Sequence, residues 1–331
     1  MTATETAAVT HRTAKVAAAL LAVYVMWGSV YVAIRVVVEE APPLVSIGLR
    51  YVVAALLLGM LAVSRSGLQT LALDRATALS CLLLAILLPG LANGLVTIAV
   101  SEGVAAGPAA LLTALSPLII VLLRLVNHDR PPRMTLVGVV VGFAGLAVLL
   151  LLGRPSTGFP LWPSVLVLVA ANCWALGSFI QPRLTLPRNI LTLAAYESLG
   201  GGLLLTAAGL TSGEQISADY SAQTWWTLAY LTISSTVTFT AYTWLLSNAP
   251  ISLVSTHAYV NPVVAVFLGW LLLAEPLSMA VLIGGAIVIG AVAIVITAEQ
   301  LRGGHGPGGG WPAPLRRRRP RPPGATTRRR R

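Results

Sequence analysis

A chain of 331 residues that is 56% hydrophobic and only 10% charged, with a mean hydropathy of +0.82, is too apolar for a soluble domain and predicts a polytopic membrane protein. Its formal charge of +11 would suit nucleic acid, but ten of the 22 basic residues sit in the tail from Arg302 to Arg331 and most of the rest lie in alternate loops, which argues against nucleic acid as a partner.

The chain begins with the polar stretch "MTATETAAVTHRTAK", residues 1–15, which has no secretory signal and reads as a cytoplasmic N-terminus. A spanning helix needs about 20 apolar residues. Ten spans are predicted, near 16–38, 44–63, 77–99, 104–124, 134–152, 162–182, 191–210, 226–246, 252–272 and 277–298. The third and fourth are separated only by Ser101 to Gly103. The remaining residues, 299–331, contain "RRRRPRPPGATTRRRR" and read as a disordered cytoplasmic tail. Such a tail either docks on anionic lipid, at about 1 kcal/mol per basic residue, or stays solvated.

Arg12, Lys15, Arg65, Arg75, Arg124, Arg130, Arg133, Arg183 and Arg188 fall in one set of alternate loops. The other set holds Arg154 with Glu39, Glu40, Glu102, Glu214, Asp219 and Glu275. The positive-inside bias then places both termini in the cytoplasm of a cell whose plasma (inner) membrane the chain crosses. Trp162, Trp225, Trp226 and Trp270 would form an outer aromatic belt. Cys81 and Cys173, both in spans, read as small packing residues. No Cys/His spacing suits a metal, no loop suits a nucleotide and no cofactor is expected. "LGSFI" lacks the pattern of a nucleophile turn, and paired carboxylates are missing, so an enzyme is a remote alternative.

The chain is written twice. "LLTALSPLIIVLL" aligns with "STHAYVNPVVAVF" at an offset of 145, which sets Pro117 over Pro262, Met134 over Met279 and Gly145 over Gly290. "WGSVY" in the first span faces "WALGSFI" in the sixth. A duplicated unit of five spans must insert the second time upside down, and such inverted repeats place a transporter's site near the midplane at the repeat interface.

"YVMWGSVYVAIRVVVEEAPPLVSIGLRYVVAALLL" resembles the opening of an EamA domain, and "STHAYVNPVVAVFLGWLLLAEPLSMAVLIGGAIVI" resembles the end of one. Over residues 16–298 the chain is similar to the ten-helix drug/metabolite transporter superfamily, most closely the YedA-like bacterial exporters. The resemblance implies an all-α integral membrane fold of two inverted five-helix EamA repeats, at 16–152 and 162–298, and export of drugs or metabolites. One departure is visible. Members often place an acidic residue after glycine at the end of the fourth and ninth spans, whereas this chain has Asp129-Arg130 and Ala274-Glu275.

Two charges lie deep in spans. Arg50 aligns with Glu197 across the repeats, which invites an ion pair. Depth opposes it. Each residue is about 9 Å from opposite faces of a core about 30 Å thick, leaving about 12 Å between them. Separate partners are expected: Glu39, Glu40 or Glu102 for Arg50, and Arg183 or Arg188 for Glu197. Both charges then either snorkel and pack, or latch the gates of an alternating-access cycle. Arg35, four residues before Glu39, needs only a local pair.

At mid-depth the candidate substrate-binding residues are Trp27, Ser29, Asn93, Thr113, Ser116, Asn172, Trp174, Thr236, His257, Tyr259 and Asn261. Pro89, Pro117 and Pro262 are candidate helix breaks, since proline frees a carbonyl one turn earlier. Each polar residue has a bland alternative, a hydrogen bond to its own or a neighbouring helix. The set describes a small, aromatic, mostly uncharged chamber for a neutral, zwitterionic or amphipathic small molecule. Protons are the expected coupling ion, with His257 or Glu197 as carriers. An importer, a facilitative carrier and a channel are the alternatives. Gly138 and Gly142, with Gly284, Gly285 and Gly290, permit close helix packing or a homodimer contact.

Overall fold

The computed structural model describes residues 3–128, 131–152, 159–217, 219–248 and 257–303. Among the described residues there is no strand, and ten helical rods follow one another in the chain. The first two are α1 (Ala3–Val38) and α2 (Pro43–Ser66). The third joins α3 (Arg75–Ala85) to α4 (Gly94–Ser101) through a π-helical turn at Ile86–Asn93. The fourth is α5 (Ala106–Thr113) followed by α6 (Ser116–Val126). Then come α7 (Arg133–Leu152), α8 (Leu161–Ile180), α9 (Ile190–Thr211), α10 (Ala222–Asn248) and α11 (His257–Leu273). The last is a π turn at Ala280–Gly284 running into α12 (Gly285–Gly303).

Seven rods are long and apolar enough to cross a membrane by themselves, and α7 and α11 add shorter apolar stretches at Arg133–Leu149 and Val260–Leu273. Two ends differ from the sequence expectation. The first helix already starts at Ala3, and α12 runs on to Gly303. The arginine-rich segment beyond it lies outside the described residues.

Local chemistry sets several boundaries. Pro43 opens α2, where its missing N–H is one that a helix start leaves unpaired anyway. The Asp74 side chain accepts from the Thr77 amide at 2.8 Å and caps α3. Asn189 does the same for α9 through Leu191. Gly67, at φ 76°, ends α2.

One end of the rods carries Glu39, Glu40, Glu102, Glu214 and Glu275, and is here the acidic end; the other carries Arg65, Arg75, Arg124, Arg133, Arg183 and Arg188, and is the basic end.

The halves do not stand side by side. They exchange their first helices: α1 packs on α10 and α11, while α8 packs on the third and fourth rods. This makes two mixed triads, one of α1, α10 and α11, the other of α8 with the rods α3–α4 and α5–α6. On one flank α2 lies along α9, and on the other α7 lies along α12. Both seams are glycine-packed. A Cβ at Gly202 would fall 2.8 Å from the Gly48 carbonyl oxygen and 2.9 Å from the Val52 nitrogen, so backbone meets backbone. Gly138 and Gly145 of α7 face the α12 backbone at Ala291 and Val288 in the same way. Gly138, Gly142 and Gly284 are thus consumed by packing within the chain, and Gly290 has open space around it.

Candidate functional site

The two triads touch near the acidic end. The Tyr31 hydroxyl of α1 meets the Thr113 hydroxyl of α5 at 2.6 Å. Arg35 donates to the Val100 carbonyl of α4 at 3.1 Å, while its Nε lies 3.5 Å from Glu39. Gly107 of α5 lies against Val266 of α11. Towards the basic end, no packing interface among the described residues joins α3, α6 or α8 to α1, α10 or α11. Among the described residues the contacts between the triads therefore gather at one end.

Several candidate residues gather just on the basic side of the closed contact. Trp27 shares the α1 face of Tyr31, one turn away. Its ring lies 5.2 Å from that of Tyr242 and 5.1 Å from His257, which in turn stands edge-on to Tyr242 at 5.5 Å. Gly28 lets α1 approach so closely that a Cβ there would sit 2.6 Å from Val264 and 3.1 Å from the Asn261 carbonyl. The Asn261 side-chain oxygen is buried and has no hydrogen-bond donor among the described residues. The side chain of Tyr259, on the same helix, lies outside the described residues.

Facing them, the fourth rod breaks at Ala114–Leu115, and Pro117 takes the second position of the new helix α6. Proline leaves the Thr113 carbonyl without its usual amide, and the Ser116 hydroxyl supplies the bond at 2.7 Å. Ser116 also reaches the Ala171 carbonyl of α8 at 3.4 Å. In the third rod the break at Pro89 is absorbed by the π turn, and the Asn93 amide donates to the Leu88 carbonyl at 3.1 Å. Trp174 lies in the middle of the α8 face that buries Val167, Ala170 and Ala171, yet it is 40% exposed. Part of its indole is thus left uncovered on an otherwise packed face.

Other candidates stand elsewhere. Asn172 belongs to the exposed α8 stripe of Val165, Val169 and Leu176, and its amide donates to its own helix at Leu168. Thr236 bonds its own helix at Thr232, 3.2 Å away. Ser29 donates back to Met26 and meets the Tyr230 hydroxyl at 2.5 Å, which ties α1 to α10. Pro262 sits inside a continuous α11 and interrupts nothing among the described residues.

The charged pair is placed differently from expectation. Arg50 is 4% exposed and points to neither Glu39, Glu40 nor Glu102. Its Nη1 donates to the Ser235 hydroxyl at 2.9 Å and the Leu231 carbonyl at 3.3 Å, its Nε has no acceptor, and its guanidinium lies 4.2 Å over the Tyr51 ring. The reason is rotation about the helix axis, which depth alone does not fix: position 50 of α2 faces α10. Glu197 is buried on the α9 face it shares with Gly200 and Gly201, towards Ala85 and Pro89, and one carboxyl oxygen has no donor. Arg183 turns instead onto the ring of Phe179, which it covers at 4.0 Å, and donates to the Phe179 carbonyl.

Three carboxylates at the acidic end carry a role that the loop reading left unassigned. Each caps the start of a helix distant in sequence. Glu214 accepts from the amides of Leu44 and Val45 at 3.1 and 2.8 Å, at the start of α2. Glu40 accepts from the Ser221 amide at 2.9 Å and the Thr224 hydroxyl at 2.7 Å, at the start of α10. Glu275 accepts from the amides of Ala106 and Gly107 at 2.5 and 3.1 Å, at the start of α5. A carboxylate there satisfies orphan donors and complements the helix dipole. Ala274, at φ 52°, makes the left-handed turn that aims Glu275 at α5, and Gly269 leaves room for the carboxylate.

The EamA-like transporter family model matches residues 14–151 and 161–297. The chain belongs to this family and is a multi-pass membrane protein. It is 34% identical over 285 residues to the "uncharacterized inner membrane transporter YedA" of Escherichia coli, covering 86% of this chain and 91% of that protein. It is 24% identical over 279 residues to the "uncharacterized transporter YoaV" of Bacillus subtilis, covering 83% and 94% respectively. A protein of solved crystal structure shares the fold with a TM-score of 0.56 at 18% identity, over 86% of this chain and 97% of that one.

Proposed function

We propose that the chain is a secondary-active carrier of the inner membrane that exports small neutral, zwitterionic or amphipathic molecules by alternating access. The observation that carries this reading is the pair of mixed triads, in contact near the acidic end and without a packing interface towards the basic end. With the basic end in the cytoplasm, as the positive-inside bias has it, the gap opens to the cytoplasm and suits loading from within. The chemistry of its walls supports the substrate class. Trp27, Tyr242, His257 and Trp174 offer aromatic faces, and Asn261 offers an acceptor that a solute's N–H or O–H group can satisfy. Proton coupling fits the buried carboxyl of Glu197, which has no cation partner and one unpartnered oxygen among the described residues.

The test is comparison of the medium around cells overproducing the wild type or the Trp174→Ala/Asn261→Ala variant, by targeted metabolomics. A compound enriched by the wild type alone supports export and names the substrate class. Equal media remove metabolite export and turn attention to toxic compounds or import. Collapse of the pH gradient should abolish concentrative efflux; efflux that persists would leave facilitated diffusion.

A further inference from the structure

Of the three trans-capping glutamates, only one joins the two triads. Glu40 follows α1 and holds α10, a member of its own triad. Glu214 follows α9 and holds α2, its partner in a glycine-packed seam. Glu275 follows α11, in the first triad, and holds α5, in the second. The contact is built from both sides. Gly107 and Gly269 leave the carboxylate its space, Val266 abuts Gly107, and the left-handed Ala274 fixes the approach. Below it, the Tyr31–Thr113 and Arg35–Val100 bonds are the neutral or partly exposed remainder of the joint.

We propose that Glu275 is the pin of the acidic-end gate: its carboxylate clamps the start of α5 and must leave that helix before the triads can part at this end. This rests on the alternating-access reading. The position related to Glu275 by the repeat is Arg130, which cannot accept from a helix start. At the matched position itself the second end therefore lacks an acidic group, the nearest being Asp129.

The experiment measures access to Ala110, buried one turn from Gly107 on the same face of α5. In a Cys81→Ala/Cys173→Ala background, Ala110→Cys is labelled with a membrane-impermeant maleimide in right-side-out and in inverted vesicles. Loss of a bond to a charged acceptor should raise the rate from the acidic-end side about tenfold in Glu275→Gln. Glu40→Gln and Glu214→Gln should lower thermal stability and leave the rate at its parent value. Should Glu275→Gln fail to accumulate, Ala106→Pro removes the amide that Glu275 takes at 2.5 Å, at a first helical position that tolerates proline, and should raise the rate in the same direction. A parent rate in the accumulating variant overturns the proposal, and so does an equal rise in all three glutamate variants. The readout needs no substrate, so an empty metabolomics result would sink the export reading and leave the pin standing, or the reverse.

Discussion

The seam between α2 and α9 joins the two repeats, whereas the joint between the triads combines bonds within the first repeat with the Glu275 contact between repeats, and the two are made of different materials. The seam runs the length of both helices. Gly48, Gly202 and Gly209 bring the backbones together near the acidic end, and Leu58 and Ala62 meet Leu191, Ala194 and Ala195 nearer the basic end. Beyond these, Thr70 and Leu71 are held by Thr192, Asn189 and Tyr196. The triad joint is shorter and lies towards one end, where a few directional bonds add to the packing of α5 on α1 and α11. Dense packing of small residues loses contact all at once when it is disturbed, whereas isolated hydrogen bonds can be exchanged for water one at a time. On the proposed alternating-access reading, the first contact persists and the second parts.

The largest test of this contrast is Gly202→Leu. Its side chain would collide with the backbone of α2, and overpacking of about 1–3 kcal/mol is a lower bound when backbone cannot move aside. Folded protein, measured by fluorescence-detected gel filtration, should be nearly absent; normal yield would show that the seam has slack. Next is Glu214→Gln, which weakens the charge that caps α2 and should cost about 0.5–2 kcal/mol, read as a lower melting temperature with unchanged Ala110→Cys labelling. Ala274→Gly should act in the opposite direction, relieving about 1 kcal/mol of left-handed strain and slowing the same labelling. Thr113→Val removes one neutral bond at the joint, about 0.5–1.5 kcal/mol, and should speed labelling less than Glu275→Gln does. The smallest effect belongs to Glu40. Hydrogen bonds, first from the Thr224 side chain and then from Ser221, hold its carboxyl below the ordinary range. A depressed folded pKa contributes stability above the unfolded value and loses it as pH falls through the folded value. Glu40→Gln should therefore lower the melting temperature modestly at neutral pH, with the difference from the wild type shrinking as pH falls below about 4.5. An unaltered profile would mean that this cap is idle.

Hydropathy made most rods legible to within several residues, because each must meet the thickness of a bilayer, but it missed the polar extension of α1 back to Ala3. The repeat made Pro117 legible, and Gly138, Gly142 and Gly284 marked the α7–α12 seam, whereas the α2–α9 seam at Gly48, Gly202 and Gly209 was not singled out. Rotation was harder. Depth correctly separated Arg50 from Glu197, but it offered Arg50 three glutamates when a serine and a carbonyl on α10 lay on its face. Asn172 looked like a chamber residue by depth, although Val165, Val169 and Leu176 spell out its exposed stripe in the sequence. Glu275 was in view as a loop charge, and its task depends on a helix start 169 residues earlier that no local pattern announces.

The exchange of first helices bears on how the protein is made. When α1 enters the bilayer its principal neighbours, α10 and α11, have not been synthesised. It must wait among lipids until the eighth and ninth rods emerge, and the first repeat meanwhile lacks α8, the helix that fills its own triad. Neither half is a finished folding unit, so the ribosome delivers an incomplete object almost to the end, and assembly is sealed by the last third of the chain.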